Sequence, residues 1–265
     1  MDKNTIKDVV RKKYSQVIKS PNGCCSGSSC CTPGGNTSDI LTASIKLGYS
    51  NEQLKIGLGE ANLGLGCGNP LAIGELKNGE VVLDLGSGAG FDAFLAARKV
   101  GPEGKVIGVD MTPEMISKAN KNAQNMGFNN VQFRLGEIEN LPVTDSSVDV
   151  IISNCIINLS PDKQAVFNEA FRVLKPGGRI AISDVIRITD LPDEIKNSSE
   201  AYCGCISGAV LPDELTKVLN NAGFVNISIR NKANSEDIIK GWNFGQDTEK
   251  AVVSADIRAI KPELS

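Results

Sequence analysis

Histidine does not occur in this chain of 265 residues. Any general base, nucleophile activator or metal centre built on imidazole is thereby excluded. An excess of positive charge is also lacking: 28 Lys and Arg stand against 31 Asp and Glu, a net charge of −3. There is no electrostatic case for nucleic acid or an anionic membrane surface as partner. No apolar run approaches the roughly 20 residues of a membrane span. The first 20 residues, MDKNTIKDVVRKKYSQVIKS, lack the apolar core of a signal peptide, so a cytoplasmic location is expected. Aromatic residues make up only 5%, with one tryptophan, Trp242, which like Phe244 reads as a packing group rather than a cation-π partner.

Cysteine is plentiful by contrast: Cys24, Cys25, Cys30, Cys31, Cys67, Cys155, Cys203 and Cys205. A long chain without a secretory leader does not suit a disulfide scaffold, and such a set points to metal binding or thiol chemistry. Four of these cysteines lie in SPNGCCSGSSCCTPGGNT (20–37), a loop by composition unless something ligates it. Two readings stand for that cluster: a zinc or copper(I) clip, or a station that collects a soft element and delivers it inward. Glycine-rich GLGEANLGLGCGNP (57–70) carries Cys67 and can lie flat against a ligand.

The remaining chain alternates strands and helices. An amphipathic helix with Ile6, Val9, Val10, Tyr14, Val17 and Ile18 on one side opens it, and a short helix at 38–47 follows. Strands are predicted at 81–85, 105–109, 131–135, 148–153, 179–183, 225–230 and 252–260. Helices are predicted at 90–100, 113–126, 162–174, 212–222 and 236–240; Gly127 and Gly223 close two of them. Strands alternating with helices imply a doubly wound, mostly parallel α/β sheet of seven strands. The divisions expected are an N-terminal helix and Cys-rich loop (1–37), a substrate-side or lid segment (38–74), and a cofactor domain (75–265) whose 190–211 stretch interrupts the alternation.

The organising stretch is Val81–Asp92, VVLDLGSGAGFD: a run buried on both faces, then Gly86, Gly88 and Gly90, then a helix. Ligands of open α/β sheets bind beyond the carboxyl ends of the strands. Those ends carry Asp84, Asp110, Glu137, Asn154-Cys155 and Asp184. Asp110, 24 residues after Gly86, is placed to accept hydrogen bonds from ribose hydroxyls. The glycine spacing is not that of dinucleotide binders, and the acids suit a sulfonium better than a pyrophosphate.

VVLDLGSGAGF, VIGVDMT, RLGEIENLPV, VDVIISN and RVLKPGGRI resemble successive motifs of the class I S-adenosylmethionine-dependent methyltransferases. The resemblance implies that the sheet is Rossmann-like with an antiparallel last strand. It also implies cofactor contacts from Asp84, Gly86, Ser87, Gly88 and Gly90, ribose binding by Asp110 beside Met111, adenine binding by Gly136-Glu137-Ile138, and a further contact from Asn154. NLGLGCGNP, GVDMTPEM, SNCIINLSPDK and GCISGA narrow it to the arsenite methyltransferases, over roughly residues 60–260. In that family the cysteines matching Cys155 and Cys205 bind trivalent arsenic, and the one matching Cys67 joins in binding and in disulfide steps. Leu65 stands where many relatives have an aromatic residue. Cys203 is extra, and Cys24, Cys25, Cys30 and Cys31 replace a single N-terminal cysteine.

Three thiols at one crevice, with no histidine, suit a soft centre. The expectation is methyl transfer from S-adenosylmethionine to thiolate-bound arsenite, or arsenite delivered as a thiol conjugate. A thioredoxin- or glutathione-type reductant is implied, and the enzyme is expected to be a monomer serving arsenic detoxification. Lowered thiol pKa values are expected. Loss of residues 1–35 is expected to impair arsenic capture or turnover more than cofactor binding. Two alternatives stay open at this point: a C- or O-methyltransferase with structural cysteines, and a non-enzymatic metalloid-binding protein.

Overall fold

A computed structural model describes residues 2–19, 37–56, 61–242 and 248–263; the cluster of Cys24, Cys25, Cys30 and Cys31, and Phe244, lie outside the described residues. Seven strands form one sheet: β1 (Val81–Leu85), β2 (Lys105–Asp110), β3 (Val131–Leu135), β4 (Val148–Asn154), β5 (Leu174–Arg187), β6 (Val225–Asn231) and β7 (Val252–Ile260). Their order is β3-β2-β1-β4-β5-β7-β6, parallel through the first five, with β7 antiparallel to both β5 and β6. The absence of polar alternation in VVLDL and VDVIIS has a direct consequence. Leu83, Leu85 and Ile151 pack one face against Phe167 and Phe224, while Val82, Val150 and Ile152 pack the other against Phe94 and Ala96.

The helices are α1 (Lys3–Lys19), α2 (Thr37–Lys46), α3 (Asn51–Ile56), α4 (Leu71–Gly74), α5 (Phe91–Val100), α6 (Pro113–Met126), α7 (Lys163–Val173), α8 (Asp193–Lys196), α9 (Ser199–Cys203), α10 (Pro212–Ala222), α11 (Ser235–Lys240) and α12 (Thr248–Ala251). Gly127 and Gly223 end α6 and α10 in the left-handed region, as their sequence positions require. The interruption at 190–211 is filled by α8 and α9. None of the described helices is long and apolar enough to cross a membrane.

β5 departs from the expected 179–183. It starts at Leu174 and runs through Pro176-Gly177-Gly178 as an irregularity between the Val148 and Val150 pairings. Backbone bonds from Gly177 N to Lys261 O (2.9 Å) and from Lys261 N to Gly178 O (2.8 Å) keep that stretch paired, so a dipeptide that looks like a turn is a bulge instead.

α1 lies over the carboxyl ends of the strands. Val10 is fully buried, and the polar edge is tied down by Lys7 to Glu137 (2.7 Å), Arg11 to Glu137 (3.1 Å) and Ser15 to Glu114 (2.7 Å).

Candidate active site

Strand order reverses between β1 and β4, and a cleft of about 1330 Å³, partly open to solvent, sits at their carboxyl ends. β1 delivers Asp84 and then the glycine turn. Gly86 has φ +68, and a Cβ there would lie 2.4 Å from Ile156, so only glycine lets the chain after β4 close against the turn. Asp110 accepts from Gly88 N (3.0 Å) and Thr112 N (2.8 Å), which binds the turn to the end of β2. Of the residues predicted to contact the cofactor, Asp84, Gly86, Ser87, Gly88, Asp110, Met111, Gly136, Ile138 and Asn154 line the cleft. Gly90 faces Phe94 and Phe133 and serves packing of α5. The Glu137 side chain turns away to Lys7 and Arg11.

Other lining groups were not assigned from sequence: Lys7, Val10 and Tyr14 of α1, Asp92 at the start of α5, and Trp242. The apolar stripe of α1 was visible, but its docking site was not. Trp242 does pack, against the groups beside Tyr14 and beside Leu47, while one side of it meets the cleft.

The cleft wall is acidic, and its Asp84 and Asp110 carboxyls are buried. Burial pushes the Asp84 carboxyl well above its usual range, and the neighbouring Asp92 and Asp110 push it further. Burial brings Asp92 to about 6 against the hydrogen bonds it accepts from Tyr49 and Asn154, and raises Asp110 as well. Asp84 Oδ2 and Ser87 Oγ are buried with no partner. Unsatisfied acceptors among mutually repelling carboxyls fit a cationic, hydroxyl-bearing ligand, which is the chemistry of S-adenosylmethionine.

The thiols meet beside this wall. Cys155 follows β4; its N–H still pairs with Ser183 O (2.8 Å), and then the chain turns through φ +58. Cys205 follows α9 with φ +65. There Cys205 N bonds Tyr202 O (2.9 Å) and Ile206 N bonds Ala201 O (2.9 Å), a Schellman motif with cysteine in the place that favours glycine. The Cys155 thiol lies within 4.8 Å of the Cys67 sulfur, and its environment is shaped by the Cys205 and Cys67 thiols. Cys205 Sγ donates to Cys155 O (2.7 Å) and Cys67 Sγ to Ser183 O (3.3 Å). Cys155 and Cys205 line the cleft, whereas Cys67 is fully buried behind Asn154. Cys203 is buried in α9 and does not line the cleft, and no disulfide joins any of the described cysteines.

Asp184 completes the group. A carboxylate oxygen and the sulfurs of Cys67 and Cys155 all lie within 4.8 Å of one another. Its carboxylate accepts from Val185 N (2.7 Å), Ile157 N (2.9 Å) and Asn158 Nδ2 (2.9 Å), which fixes the turn after Cys155. Burial still brings it to about 6. The lowered thiol pKa values expected from sequence are not what the site provides. Hydrogen bonds to Cys205 and Cys67, with burial, push Cys155 well up. The bond with Cys155 lowers Cys205, but burial and Asp184 outweigh it and bring that thiol to about 11.

Residues 76–223 match the profile of a methyltransferase domain family. Over 98% of its length the chain is 48% identical to an arsenite methyltransferase of Halobacterium salinarum, covering 68% of that protein. The chain belongs to the arsenite methyltransferase family. Arsenite methyltransferase of Homo sapiens is 40% identical over 60% of the chain, which covers 44% of the human protein. Among solved structures, the arsenic(III) S-adenosylmethionine methyltransferase of Chlamydomonas reinhardtii superposes with a TM-score of 0.64 at 31% identity, over 83% of this chain and 73% of that one. As a member of this family the chain is an S-adenosylmethionine-dependent enzyme, not a non-enzymatic metalloid binder.

Proposed function

We propose that this arsenite methyltransferase binds trivalent arsenic on Cys67, Cys155 and Cys205 and methylates it from the acidic cleft. The observation that carries the reading is the convergence of three thiols beside the cleft: Cys155 and Cys205 line it on left-handed backbone, and the buried Cys67 sulfur lies behind, within 4.8 Å of the Cys155 sulfur. Asp110 would hold the ribose, Ile138 and Gly136 the adenine, and Asp84 and Asp92 the cationic end. S-adenosylmethionine supplies an electrophilic methyl group on a sulfonium, which the arsenic lone pair takes up.

Raised thiol pKa values are compatible with capture. Arsenite at neutral pH is As(OH)₃, and each As–S bond formed from a thiol releases one water, with no net proton to dispose of. From a thiol conjugate, each exchange releases one free thiol. Cys155 and Cys205 then position the arsenic, and no general base is needed on a nucleophile that carries no proton. Methylation formally oxidises arsenic by two electrons. Two cysteine thiols closing to a disulfide return those electrons, and a thioredoxin- or glutathione-type reductant reopens the disulfide. Cys24, Cys25, Cys30 and Cys31 are candidates for that role or for collecting arsenic. A monomeric, cytoplasmic detoxifying enzyme fits this chemistry.

The test is arsenic speciation after incubation with arsenite, S-adenosylmethionine and a thiol reductant. Methylarsenicals are expected from the parent protein. Cys155→Ser and Cys205→Ser should cut the rate at least 100-fold while cofactor binding, read from the fluorescence of Trp242, stays within about threefold. Retention of substantial methylation by both variants would overturn the thiol assignment.

A further inference from the structure

The hydroxyl of Tyr49 stands between the two halves of the site. It donates to Asp92 Oδ1 (2.6 Å) and accepts from Asn154 Nδ2 (3.0 Å). The same Nδ2 lies 2.8 Å from Gly68 O and 3.2 Å from Asp92 Oδ2. Two amide hydrogens therefore face three acceptors. On the other side, Asn154 Oδ1 accepts from Cys67 N (3.0 Å). The loop is pressed onto this amide: a Cβ on Gly66 would lie 2.8 Å from it. Asp92 and Asn154 line the cleft, while Cys67 is wholly buried. A continuous chain of hydrogen bonds thus joins the acidic wall to the backbone of an arsenic-binding thiol.

Tyr49 comes from the link between α2 and α3, outside the matched methyltransferase domain. It is held by Phe91, with ring centroids 5.1 Å apart, and by Leu47, Leu54 and Leu95. Cys67 is pinned from elsewhere too, since Ser254 Oγ donates to its carbonyl (2.6 Å) and its Sγ donates to Ser183 O (3.3 Å). The Asn154 contact leads from the Cys67 backbone to the acidic wall, while the Cys67 sulfur lies beside Cys155.

We infer that Tyr49 and Asn154 are positioning residues that couple cofactor binding to the presentation of Cys67, so that cofactor and arsenic bind with positive cooperativity. This rests on the function proposed above. Any donor or cation that reaches Asp92 from the cleft competes with Asn154 for that carboxylate. The amide hydrogen released then belongs wholly to Gly68 O and firms the turn that carries Cys67. Linkage makes the effect reciprocal: arsenic on Cys67 tightens the cofactor by the same factor.

The coupling is measurable without turnover. Arsenite affinity is determined by equilibrium dialysis with and without S-adenosylhomocysteine. The full chain is used with Cys24, Cys25, Cys30 and Cys31 changed to serine, so that only the inner thiols compete. S-adenosylhomocysteine is expected to tighten arsenite about 5- to 20-fold, within the usual range of site coupling. Tyr49→Phe keeps the ring and its packing, and should reduce that gain to about twofold or less. The ratio is the readout, because a simple loss of packing lowers both affinities and leaves it unchanged. The converse leg, S-adenosylhomocysteine affinity with and without arsenite by Trp242 fluorescence, must give the same factor. Asn154→Ala supplies a second variant with the same expected loss of coupling. An equal gain in parent and variants, or no gain in a parent that does methylate arsenite, would overturn the inference alone. A parent that neither binds nor methylates arsenite would overturn the proposed function as well.

Discussion

Cys155 and Cys205 sit in backbone that cysteine disfavours, at φ +58 and +65. A non-glycine residue in the left-handed region costs on the order of 1 kcal/mol, and such strain gathers where a side chain must be aimed. At Cys205 the strain can be separated from the chemistry. Cys205→Gly and Cys205→Ala should both abolish productive arsenic binding. The glycine variant should nonetheless be the more stable of the two by about 1 kcal/mol in denaturant unfolding, because glycine suits the Schellman position. Equal stability, or a more stable alanine variant, would show that the left-handed turn is not strained. Cys155 differs in that its N–H remains bonded to Ser183, so its turn is anchored by the sheet rather than by a helix end.

At the scale of elements, α1 changes the expected division of labour. From sequence, the N-terminal segment belonged with arsenic capture. In the fold Val10 is buried and Lys7, Val10 and Tyr14 line the cofactor cleft. Loss of residues 1–35 is now expected to weaken cofactor binding at least as much as arsenic capture. A milder probe is the double variant Lys7→Ala with Arg11→Ala, which frees Glu137. Half-buried ion pairs of this kind contribute about 1 kcal/mol, so the cofactor dissociation constant should rise roughly 3- to 10-fold. The parent should show the steeper salt dependence. Titration of Trp242 fluorescence at two salt concentrations measures both. An unchanged dissociation constant would mean that α1 covers the cleft without holding it shut.

For the whole molecule, acids gathered around one cleft set a pH dependence opposite to ordinary acid unfolding. Asp92 and Asp184 titrate near 6 in the fold, above the usual 3.9 or so of an unfolded aspartate. Between those values the folded state holds protons that the unfolded state has lost. Stability contributed by these groups is therefore present below about pH 4 and declines as pH rises through about 6. With about 1.5 pH units between pH 4.5 and the folded value of each of the two groups, the free protein should lose on the order of 4 kcal/mol between pH 4.5 and 7.5. A bound cation beside Asp92 lowers its folded pKa, so cofactor should flatten that loss. Urea midpoints at pH 4.5, 6 and 7.5, with and without S-adenosylmethionine, decide it. A free protein that grows more stable from pH 4.5 to 7.5 would contradict the buried-acid reading.

Much of this enzyme was legible in its residues. An apolar run ending in Gly86-x-Gly88-x-Gly90 specifies a buried strand and a tight turn whatever surrounds it, because period and glycine chemistry are local. The cleft-end positions of Asp110 and Cys155 followed from their place along the alternation, and the antiparallel β7 from the family resemblance. What the sequence could not contain was distance. Gly90 and Gly86 look alike in the motif, yet one packs against Phe94 and the other admits Ile156. Glu137 reads as a cleft acid until Lys7 and Arg11, more than 120 residues away, claim it. The direction of the thiol pKa shifts also depended on what was buried beside Cys155 and Cys205. Local order belongs to the chain, whereas burial and pairing arise only when remote segments meet, and those decided which acids and thiols face the cleft.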